Sequence, residues 1–463
     1  MSDLPPGWEL APLSEIVAIN QRRFDAEPDD DEHISFVPMA SVEAESGQLD
    51  ASQTAPYGEL KQRSLTRFQE GDVLFAKVTP CMENGKIAVA RGLSSGRGMG
   101  STELFSLRSH GAIDPDYLAY YLLQDSVRRD AARAMTGAVG LRRVPRGYLE
   151  NLAIPVPPLA EQRRMIGSLE TLLSHCDVAV ANVTSSGARL KMLTKRVLVE
   201  SVPITGRPGW RVVTVGQAGK VDLGRQRHPD WHTGPHMRPY LRVANVFEDR
   251  LDLRDVMQMD FPPEVFERFR LTPGDILLNE GQSPEYLGRP AMYRGEPAEM
   301  AFTNSLLRFR AHDGIDPEWA LLVFRRHMHA RRFIKEVRIT TNIAHLSASR
   351  FKEVEFPVPP IEEQRAIVAQ TKDRLDALAR LADSVQLAKV RAGRLREALL
   401  AEAFAGRLVE QDPADEPASE LLARIRAQRV VVPKQRGRRT AKELAAPATR
   451  AIGTDFQQGE LPL

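Results

Sequence analysis

The sequence predicts an α+β fold in which two mixed α/β domains repeat one plan and are joined by two long helices. The first observation is a repeated motif. Pro155 and Pro357, 202 residues apart, each open a proline-rich run that leads into the triplet Glu-Gln-Arg. The second is a helical pattern after each motif, and the third is a similar succession of predicted strands and turns before it. A repeat of this length indicates a duplicated architecture.

The two proline-rich runs each predict the start of a long helix. Pro-x-Pro-Pro can neither continue a helix nor pair inside a sheet, so the helix begins just after it. Apolar residues then recur at steps of three, four and seven, as in a heptad repeat. We expect long helices within residues 154–204 and 356–405 that pair as an antiparallel coiled coil. The alternative is that each helix packs only on its own domain. The motif and seam residues are Glu161, Gln162, Arg163, Leu169, Leu173, Val180, Glu363, Gln364, Arg365, Leu375, Leu378 and Leu395.

Composition excludes several classes of protein. The chain has 463 residues and a formal net charge of +2, so its overall charge does not indicate nucleic-acid binding. Cys81 and Cys176 are too few for a disulfide framework, and no Cys/His cluster has zinc spacing. The first residues lack the apolar core of a signal peptide, and no run is apolar enough for a membrane span. We therefore expect a cytoplasmic protein with no membrane partner and no bound metal.

Residues 1–153 are predicted to form the first domain. Val73–Val78, Ile87–Ala90 and Ser101–Leu107 favour strands, because short apolar runs alternate with turn residues. Asp116–Leu123, which has a proline near its start, favours a helix. The glycine-rich Gly96–Gly100 lacks the spacing of a cofactor loop and predicts a turn.

Residues 205–355 are predicted to form a second domain on the same plan. Gly209-Trp210 corresponds to Gly7-Trp8, and the stretch LTPGDILLNEGQSPEYLGRPAMY corresponds to the strand–loop–strand around Gly71. The scaffold recurs while the loops differ. Residues 406–463 are predicted to be a C-terminal tail with a short helix over 418–428, and the chain from Val430 onward is expected to be disordered.

These motifs together resemble the specificity subunit of a type I restriction–modification system. The resemblance is carried by Pro155–Ile166, Pro357–Ile367, the loop GDVLFAKVTPCMENGK and the tail FAGRLVEQD…ELLARI, and it extends to about residue 428. It implies that each domain is a target recognition domain that reads one half of a bipartite, asymmetric DNA sequence. It also implies that the long helices space these domains and dock two methylation subunits, and that restriction subunits join the complex.

The resemblance implies that the chain is not an enzyme and binds no cofactor itself. S-adenosylmethionine would be used by the partner methylation subunit, and ATP and Mg²⁺ by the restriction subunit. The sequence agrees, since it contains no phosphate-binding loop and no Asn/Asp-Pro-Pro-Tyr/Phe tetrapeptide of an amino-methyltransferase.

Two polar loops in each domain offer side chains that can hydrogen-bond to base edges and phosphates of double-stranded DNA. For any one residue, an ordinary exposed loop position is the alternative interpretation. His327 and His329 lie among arginines on a predicted helix face that is either near DNA or solvated. The candidate DNA-binding residues are Lys77, Thr79, Asn84, Lys86, Thr136, Arg142, Arg143, Arg146, Asn279, Gln282, Arg289, Thr340, Thr341, Asn342, His345 and Arg350.

Three other functions stay open at this point. One is the specificity subunit of a related system whose restriction and methylation activities are fused in one polypeptide. Another is a coiled-coil scaffold without a DNA role, which would leave the divergence of the loops unexplained. The last is an enzyme with an unrecognised site, which would label DNA on its own in the presence of S-adenosylmethionine.

Overall fold

A computed structural model describes residues 4–138, 140–204, 207–336, 339–340 and 343–431. Contacts divide the chain into two compact units. The first unit is Met1–Glu170 together with Leu399–Leu463, and the second unit is Thr171–Ala398. The first unit therefore consists of two separate stretches of the chain, and the second unit lies between them in the sequence.

The first unit contains two four-stranded sheets and a separate strand pair. Its strands are β1 (Glu9–Pro12), β2 (Val17–Ile19), β3 (His33–Val37), β4 (Thr54–Pro56), β5 (Thr66–Gln69), β6 (Val73–Ala76), β7 (Ile87–Val89), β8 (Arg97–Gly100), β9 (Leu104–Ser109) and β10 (Ala153–Val156). The sheet orders are β2-β9-β6-β7 and β4-β3-β8-β5, and β1 pairs with β10. All four residues of β6 are buried, because this apolar strand lies inside its sheet. The strands predicted around Val73, Ile87 and Leu104 are confirmed.

The prediction of a turn at Gly96–Gly100 is wrong over most of its length. Arg97–Gly100 forms β8, which lies between β3 and β5 in the second sheet. The glycines are needed for close packing. A Cβ on Gly98 would lie 2.3 Å from the Phe68 ring, and one on Gly100 would lie 2.3 Å from the Val37 carbonyl oxygen. A glycine-rich strand of this kind carries no apolar alternation, so its sequence resembles a turn.

The helices of the first unit are short until the first long helix begins. They are α1 (Leu13–Ile16), α2 (Tyr57–Leu60), α3 (Pro115–Leu123), α4 (Asp125–Ala134), α5 (Arg146–Glu150) and the start of α6 (Leu159–Ser201). The predicted helix at Asp116–Leu123 is confirmed as α3. Its first turn is capped by Asp114, whose carboxylate accepts a hydrogen bond from the Asp116 amide at 2.9 Å.

The second unit repeats this plan. Its strands are β11 (Arg211–Thr214), β12 (Gly219–Leu223), β13 (Met237–Leu241), β14 (Val246–Phe247), β15 (Arg250–Leu251), β16 (Met257–Asp260), β17 (Ile276–Asn279), β18 (Gly281–Gln282), β19 (Pro290–Met292), β20 (Ala301–Phe302), β21 (Leu306–Ala311), β22 (Ile339–Thr340), β23 (Ile343–His345) and β24 (Glu355–Val358). The main sheet has the order β12-β21-β17-β19, which matches β2-β9-β6-β7 strand for strand. Its further sheets are β16-β13-β20, β18-β23-β22, β14-β15 and β11-β24. The prediction of two mixed α/β domains on one plan is confirmed.

The second unit also holds most of both long helices. Its helices are the rest of α6, α7 (Val215–Ala218), α8 (Pro263–Phe269), α9 (Pro317–His329), α10 (Ala348–Lys352) and α11 (Ile361–Phe404), whose last turns belong to the first unit. Within the second unit, Arg396 of α11 donates to Asp177 of α6 at 2.9 Å. A Cβ on Gly187 would lie 3.6 Å from Val385. Contacts that advance along α6 while they recede along α11 confirm the predicted antiparallel pair.

The C-terminal segment packs on the first unit. The predicted short helix is confirmed as α12 (Ala418–Val431). The amide of Ala418 donates to the Gly7 carbonyl at 2.9 Å, and Arg164 pairs with Asp415 at 2.6 Å. Ala418 and Leu422 are fully buried. Residues 406–431 therefore complete the first unit. The expectation of disorder from Val430 is wrong for Val430 and Val431, which belong to α12, and the chain beyond residue 431 lies outside the described residues.

A repeated Gly-Asp pair explains part of the internal similarity. Asp72 and Asp275 are both buried at the start of the central strand of their sheets. Asp72 accepts two hydrogen bonds from Arg108 at 2.8 and 2.9 Å, and Asp275 accepts two from Arg310 at 2.7 Å each. A buried carboxylate requires such a partner, so the Asp and the Arg on the neighbouring strand belong to the scaffold rather than to a DNA-reading surface.

Candidate DNA interface

The two predicted loops of the first unit lie side by side at one end of the main sheet. The amide of Lys77, directly after β6, donates to the Glu103 carbonyl at 2.9 Å. The amide of Val144 donates to the Lys77 carbonyl at 2.8 Å, and the amide of Thr79 donates to the Arg142 carbonyl at 3.0 Å. The loop after β6 and the loop before α5 therefore form one surface, which the sequence alone did not place together.

Charged side chains on this surface are paired with acids that sequence reasoning missed. Both carboxylate oxygens of Glu103 accept from Arg143, at 2.9 and 2.8 Å. These hydrogen bonds lower the pKa of Glu103, so it stays ionised. Arg142 donates to Glu83 at 3.1 Å. The signal that could have identified Glu103 was that it is the one charged residue within the predicted strand Ser101–Leu107.

The remaining candidates of the first unit divide into outward and inward positions. Lys77 is half-buried, with its ammonium 5.1 Å from the centre of the Phe105 ring. Asn84 and Thr136 are exposed. Lys86 is turned inward, because its ammonium donates to the carbonyls of two residues of the neighbouring segment at 2.9 and 2.7 Å.

Two further candidates of this unit make local contacts. The hydroxyl of Thr79 lies 3.4 Å from the sulfur of Met135. Arg146 donates to Glu150 within α5 at 2.7 Å. Arg146 is exposed, so an external phosphate could still reach it.

The equivalent surface of the second unit carries different chemistry. Glu280 follows β17 as Lys77 follows β6, and its amide donates to the Ser305 carbonyl at 3.0 Å. The amide of Leu346 donates to the Glu280 carbonyl at 2.8 Å. One ring nitrogen of His345 lies 3.2 Å from the Glu280 carboxylate. The two loops again meet, and an acid–histidine pair stands where the first unit has lysine and arginine.

The other candidates of the second unit are less uniform. Gln282 pairs with β23 through its backbone and is half-buried. Asn279 is fully buried, and its side-chain amide has no hydrogen-bond partner among the described residues. Arg289 is half-buried, with its guanidinium 4.8 Å from the Phe247 ring centre and 5.3 Å from that of Tyr286.

Three candidates fall in or beside the gaps of the described chain. Thr340 ends β22, whereas Thr341 and Asn342 lie outside the described residues. Arg350 lies in α10 and is exposed. The second loop of this unit is therefore described only in part.

Of the two histidines of α9, His327 is buried and His329 is half-buried, so the interpretation as a fully solvated helix face does not hold for His327. His327 is buried, and its Nε2 donates to the Glu355 carbonyl at 2.9 Å. His329 lies 3.0 Å from the Glu248 carboxylate, which also accepts from Arg325 at 2.9 Å. Contacts with Glu248 and Glu355, which are distant in sequence, therefore hold both histidines against their own unit.

The glutamines of the two Glu-Gln-Arg triplets hold each long helix against a loop of its own unit. The Gln162 side chain donates to the carbonyls of Ala112 and Pro157 at 3.0 and 2.9 Å, and accepts from the Asp114 amide at 2.8 Å. Gln364 makes the corresponding three bonds, to the carbonyls of Gly314 and Pro359 at 2.9 and 2.8 Å and from the Asp316 amide at 2.9 Å. The motif therefore has a structural role inside each repeat.

The neighbours of these glutamines differ in exposure. Glu161 is buried, accepts from Trp8 Nε1 at 3.0 Å, and has its pKa raised by burial. Arg163 and Arg365 are exposed, and Glu363 is half-buried. The two arginines and Glu363 are thus the triplet residues that a partner could reach.

The seam positions of the long helices are buried to different degrees. Leu169 and Leu173 are buried, while Val180, Leu375 and Leu378 are half-buried. Leu395 is 53% exposed. Other large apolar side chains on these helices are exposed as well, namely Val178, Met192, Leu193, Leu381, Leu387 and Val390.

Neither a metal centre nor a membrane span is found in the described ranges. No three His, Cys, Asp or Glu side chains there are grouped so as to hold a metal ion. None of the helices described is both long enough and apolar enough to cross a bilayer.

Comparison with known proteins identifies the first unit. Residues 5–178 match the family described as type I restriction modification DNA specificity domain. This chain carries a type I specificity domain. The match confirms the resemblance noted in the sequence.

Relatives of this specificity domain are found among curated proteins of Escherichia coli. The type I restriction enzyme EcoEI and EcoAI specificity subunits are 37% and 39% identical to the chain over 176 and 178 residues. Each match covers 38% of the chain and 29% of the relative, so the aligned part spans less than a third of these proteins. The EcoKI specificity subunit of strain K12 is 22% identical over 464 residues, and the match covers 92% of the chain and 96% of that protein.

Solved structures show that the likeness in fold extends beyond the matched specificity domain. A chain from a structure concerned with complex assembly and conformational transition of the type I R-M system has a TM-score of 0.73 at 21% identity, covering 88% of this chain and 99% of that chain. An HsdS subunit from Thermoanaerobacter tengcongensis has a TM-score of 0.56 at 22% identity, covering 88% and 98%. Both units and the long helices therefore follow a fold that specificity subunits adopt.

Proposed function

We propose that this chain is the DNA-recognition subunit of a type I restriction–modification complex and acts in the cytoplasm. It would direct methylation and restriction subunits to a bipartite, asymmetric target without carrying out chemistry itself. One observation carries the proposal. The main sheets of the two units have the same strand order, and each leads into a pair of adjoining polar loops whose side chains differ between the units.

The difference between the loops suits the reading of two unlike half-sites. Arginine and lysine donate to the acceptors of guanine in the major groove, and a glutamate accepts from the amino group of cytosine. The first unit presents Lys77 with the Arg143–Glu103 pair, and the second presents Glu280 with His345. On this proposal, Arg143 exchanges its bond to Glu103 for one to DNA on binding. Lys86 and Asn279 act by shaping the loops, because their polar groups face inward.

The long helices supply the surface for partner subunits in this proposal. The pair exposes several leucine, valine and methionine side chains within the second unit. Exposed apolar side chains on a helix pair are suited to contact with a partner subunit. We assign it to two methylation subunits, with restriction subunits joining the assembly. S-adenosylmethionine would bind to the methylation subunits, and ATP and Mg²⁺ to the restriction subunits. The target adenine must leave the base stack for methyl transfer.

Methylation mapping by single-molecule sequencing tests the proposal. Cells that express the chain with an active methylation subunit are compared with the same cells lacking the chain. We expect methylated adenines in one bipartite motif that disappear on deletion. An unchanged pattern of methylation would contradict the proposal and favour a scaffold without a DNA role.

Loop variants sharpen the same experiment. Arg143→Ala should relax or weaken one half of the motif, and Glu280→Gln should affect the other half. Arg133→Ala, which removes an exposed arginine paired with Asp130 on α4, is the matched control and should leave the motif intact. If either loop variant altered both halves equally, the assignment of one half-site to each unit would be wrong.

A further inference from the structure

We infer that the loop Arg225–His236 of the second unit is an arm that contacts the sugar–phosphate backbone of DNA beside the base-reading loops. The inference deepens the proposed function and rests on it. None of the candidate DNA-binding residues lies in this loop, so it adds a third contacting element to the second unit.

The arm begins at the same end of the main sheet as the base-reading loops. The Arg225 amide donates to the Phe302 carbonyl at 3.1 Å, and the Asn304 amide donates to the Arg225 carbonyl at 2.9 Å. The next residue, Ser305, accepts from the Glu280 amide at 3.0 Å. One short turn therefore joins the base of the arm to the residue that follows β17.

The arm is held in place by stacking of Arg225 on two aromatic rings and by a hydrogen bond from a backbone amide. The guanidinium carbon of Arg225 lies 4.0 Å from the Trp231 ring centre and 4.8 Å from that of Phe261. At the far end, the His236 amide donates to the Asp260 carboxylate at 2.8 Å. A loop fixed at both ends loses little conformational freedom on binding, which favours a defined contact.

The exposed part of the arm carries more basic than acidic side chains. Arg227, His228, His232 and His236 are exposed. The one exposed acid of the arm, Asp230, lies 3.2 Å from the His228 ring, which leaves Arg227 and the other two histidines without an acid of the arm beside them. Arg227 stacks loosely on Tyr240 at 5.9 Å and forms no ion pair with any acid in the described part of the chain. Basic side chains interleaved with aromatic rings suit a phosphate backbone better than a protein surface of mixed charge.

The equivalent loop of the first unit provides an internal comparison. Residues 20–32 contain two arginines and six acids, and several of these acids are tied to the body of the unit. Glu27 accepts from Tyr57 at 2.5 Å, and Glu32 pairs with Arg97 at 3.0 Å. The same position in the fold is therefore acidic in one unit and basic in the other. A purely structural requirement would not explain this difference.

The experiment measures how DNA binding depends on salt, using the full chain assembled with its methylation subunits. The double variant Arg227→Ala/His232→Ala is compared with Arg270→Ala. Arg270 is exposed, lies outside the arm and pairs with Glu267. Binding is measured on a duplex with the mapped target and on one without it, from 50 to 200 mM salt.

Binding to the DNA backbone predicts a specific pattern. The slope of log K against log salt should become shallower by about 1 for each phosphate that the variant no longer neutralises. Affinity for the target and for the non-target duplex should fall by the same factor, so that the specificity ratio is unchanged. Arg270→Ala should behave as wild type.

Two results would overturn the inference. An unchanged slope and affinity in the double variant would show that the arm does not touch DNA. A loss of target affinity alone, with the slope preserved, would assign the arm to base reading instead. Absence of target-specific binding by the wild-type assembly would contradict the proposed function itself, which keeps the two failures distinct.

Discussion

Replacing Gln162 by leucine should open the junction between the first unit and its long helix. The side chain makes three hydrogen bonds to backbone groups, and leucine of similar size can make none of them. At about 1 kcal/mol net for each bond, the local free energy of opening should fall by about 3 kcal/mol. This corresponds to roughly 100-fold faster amide exchange where local opening controls exchange.

Hydrogen–deuterium exchange of the full chain, read by mass spectrometry, tests this. Peptides spanning 110–117 and 157–165 should lose protection, while those of the second unit should not. Gln364→Leu should have the mirrored effect on peptides around Asp316. Arg163→Ala, next to the glutamine but exposed, is the matched control and should exchange as wild type. The structural role would be refuted if the free Gln162→Leu chain exchanged as wild type and lost protection, relative to wild type, only in the presence of a partner subunit. That result would place this glutamine at an interface.

Two further predictions concern the interior of each unit. Burial lowers the pKa of His327 to about 4, against about 6.5 unfolded, so this residue stabilises the fold fully above pH 6.5 and progressively less as pH falls towards 4. Denaturant unfolding between pH 7 and pH 4.5 should show this loss of stability. His327→Gln should reduce the pH dependence of the free energy of unfolding, and an unaltered pH dependence in the variant would contradict this prediction. Gly100→Ala should lower the midpoint of thermal unfolding, because overpacking costs about 1–3 kcal/mol and the clash is with the backbone at Val37. Gly147→Ala, with open space around it, should leave the midpoint unchanged or raise it, and equal effects of the two substitutions would refute the packing argument.

Local patterns in the sequence were sufficient for the long helices and the duplicated plan. Heptad spacing and proline breaks depend on neighbouring residues only, so α6 and α11 could be predicted to within a few positions. Leu395 is the exception within the helices. Its apolar side chain fits the heptad spacing, but it is exposed. Strand β8 was missed because glycine replaces the apolar alternation that identifies a strand.

The candidate site depended on contacts that the sequence does not order. The loops around Lys77 and Arg143 were both found, but only the sheet topology places them against each other. Glu103 was missed because its role appears only once Arg143 is known to reach it. The burial of His327, in helix α9, likewise depends on its hydrogen bond to Glu355, which begins strand β24. Polar side chains in loops can face DNA, solvent or the interior, and local sequence does not distinguish these cases.

The return of the C-terminal segment affects how the first unit forms during synthesis. The segment that covers Gly7 and Trp8 begins at Leu399, whereas the rest of the unit is complete at Glu170. At about 5–20 residues per second, the ribosome needs on the order of 10–45 s to reach it. During that interval the growing second unit is attached to a first unit that lacks two contacts. These are Phe404 against Tyr117 and Tyr121, and the start of α12 against Gly7. The first domain to be translated is thus the last to be completed, and a truncated chain would lack part of its covering surface.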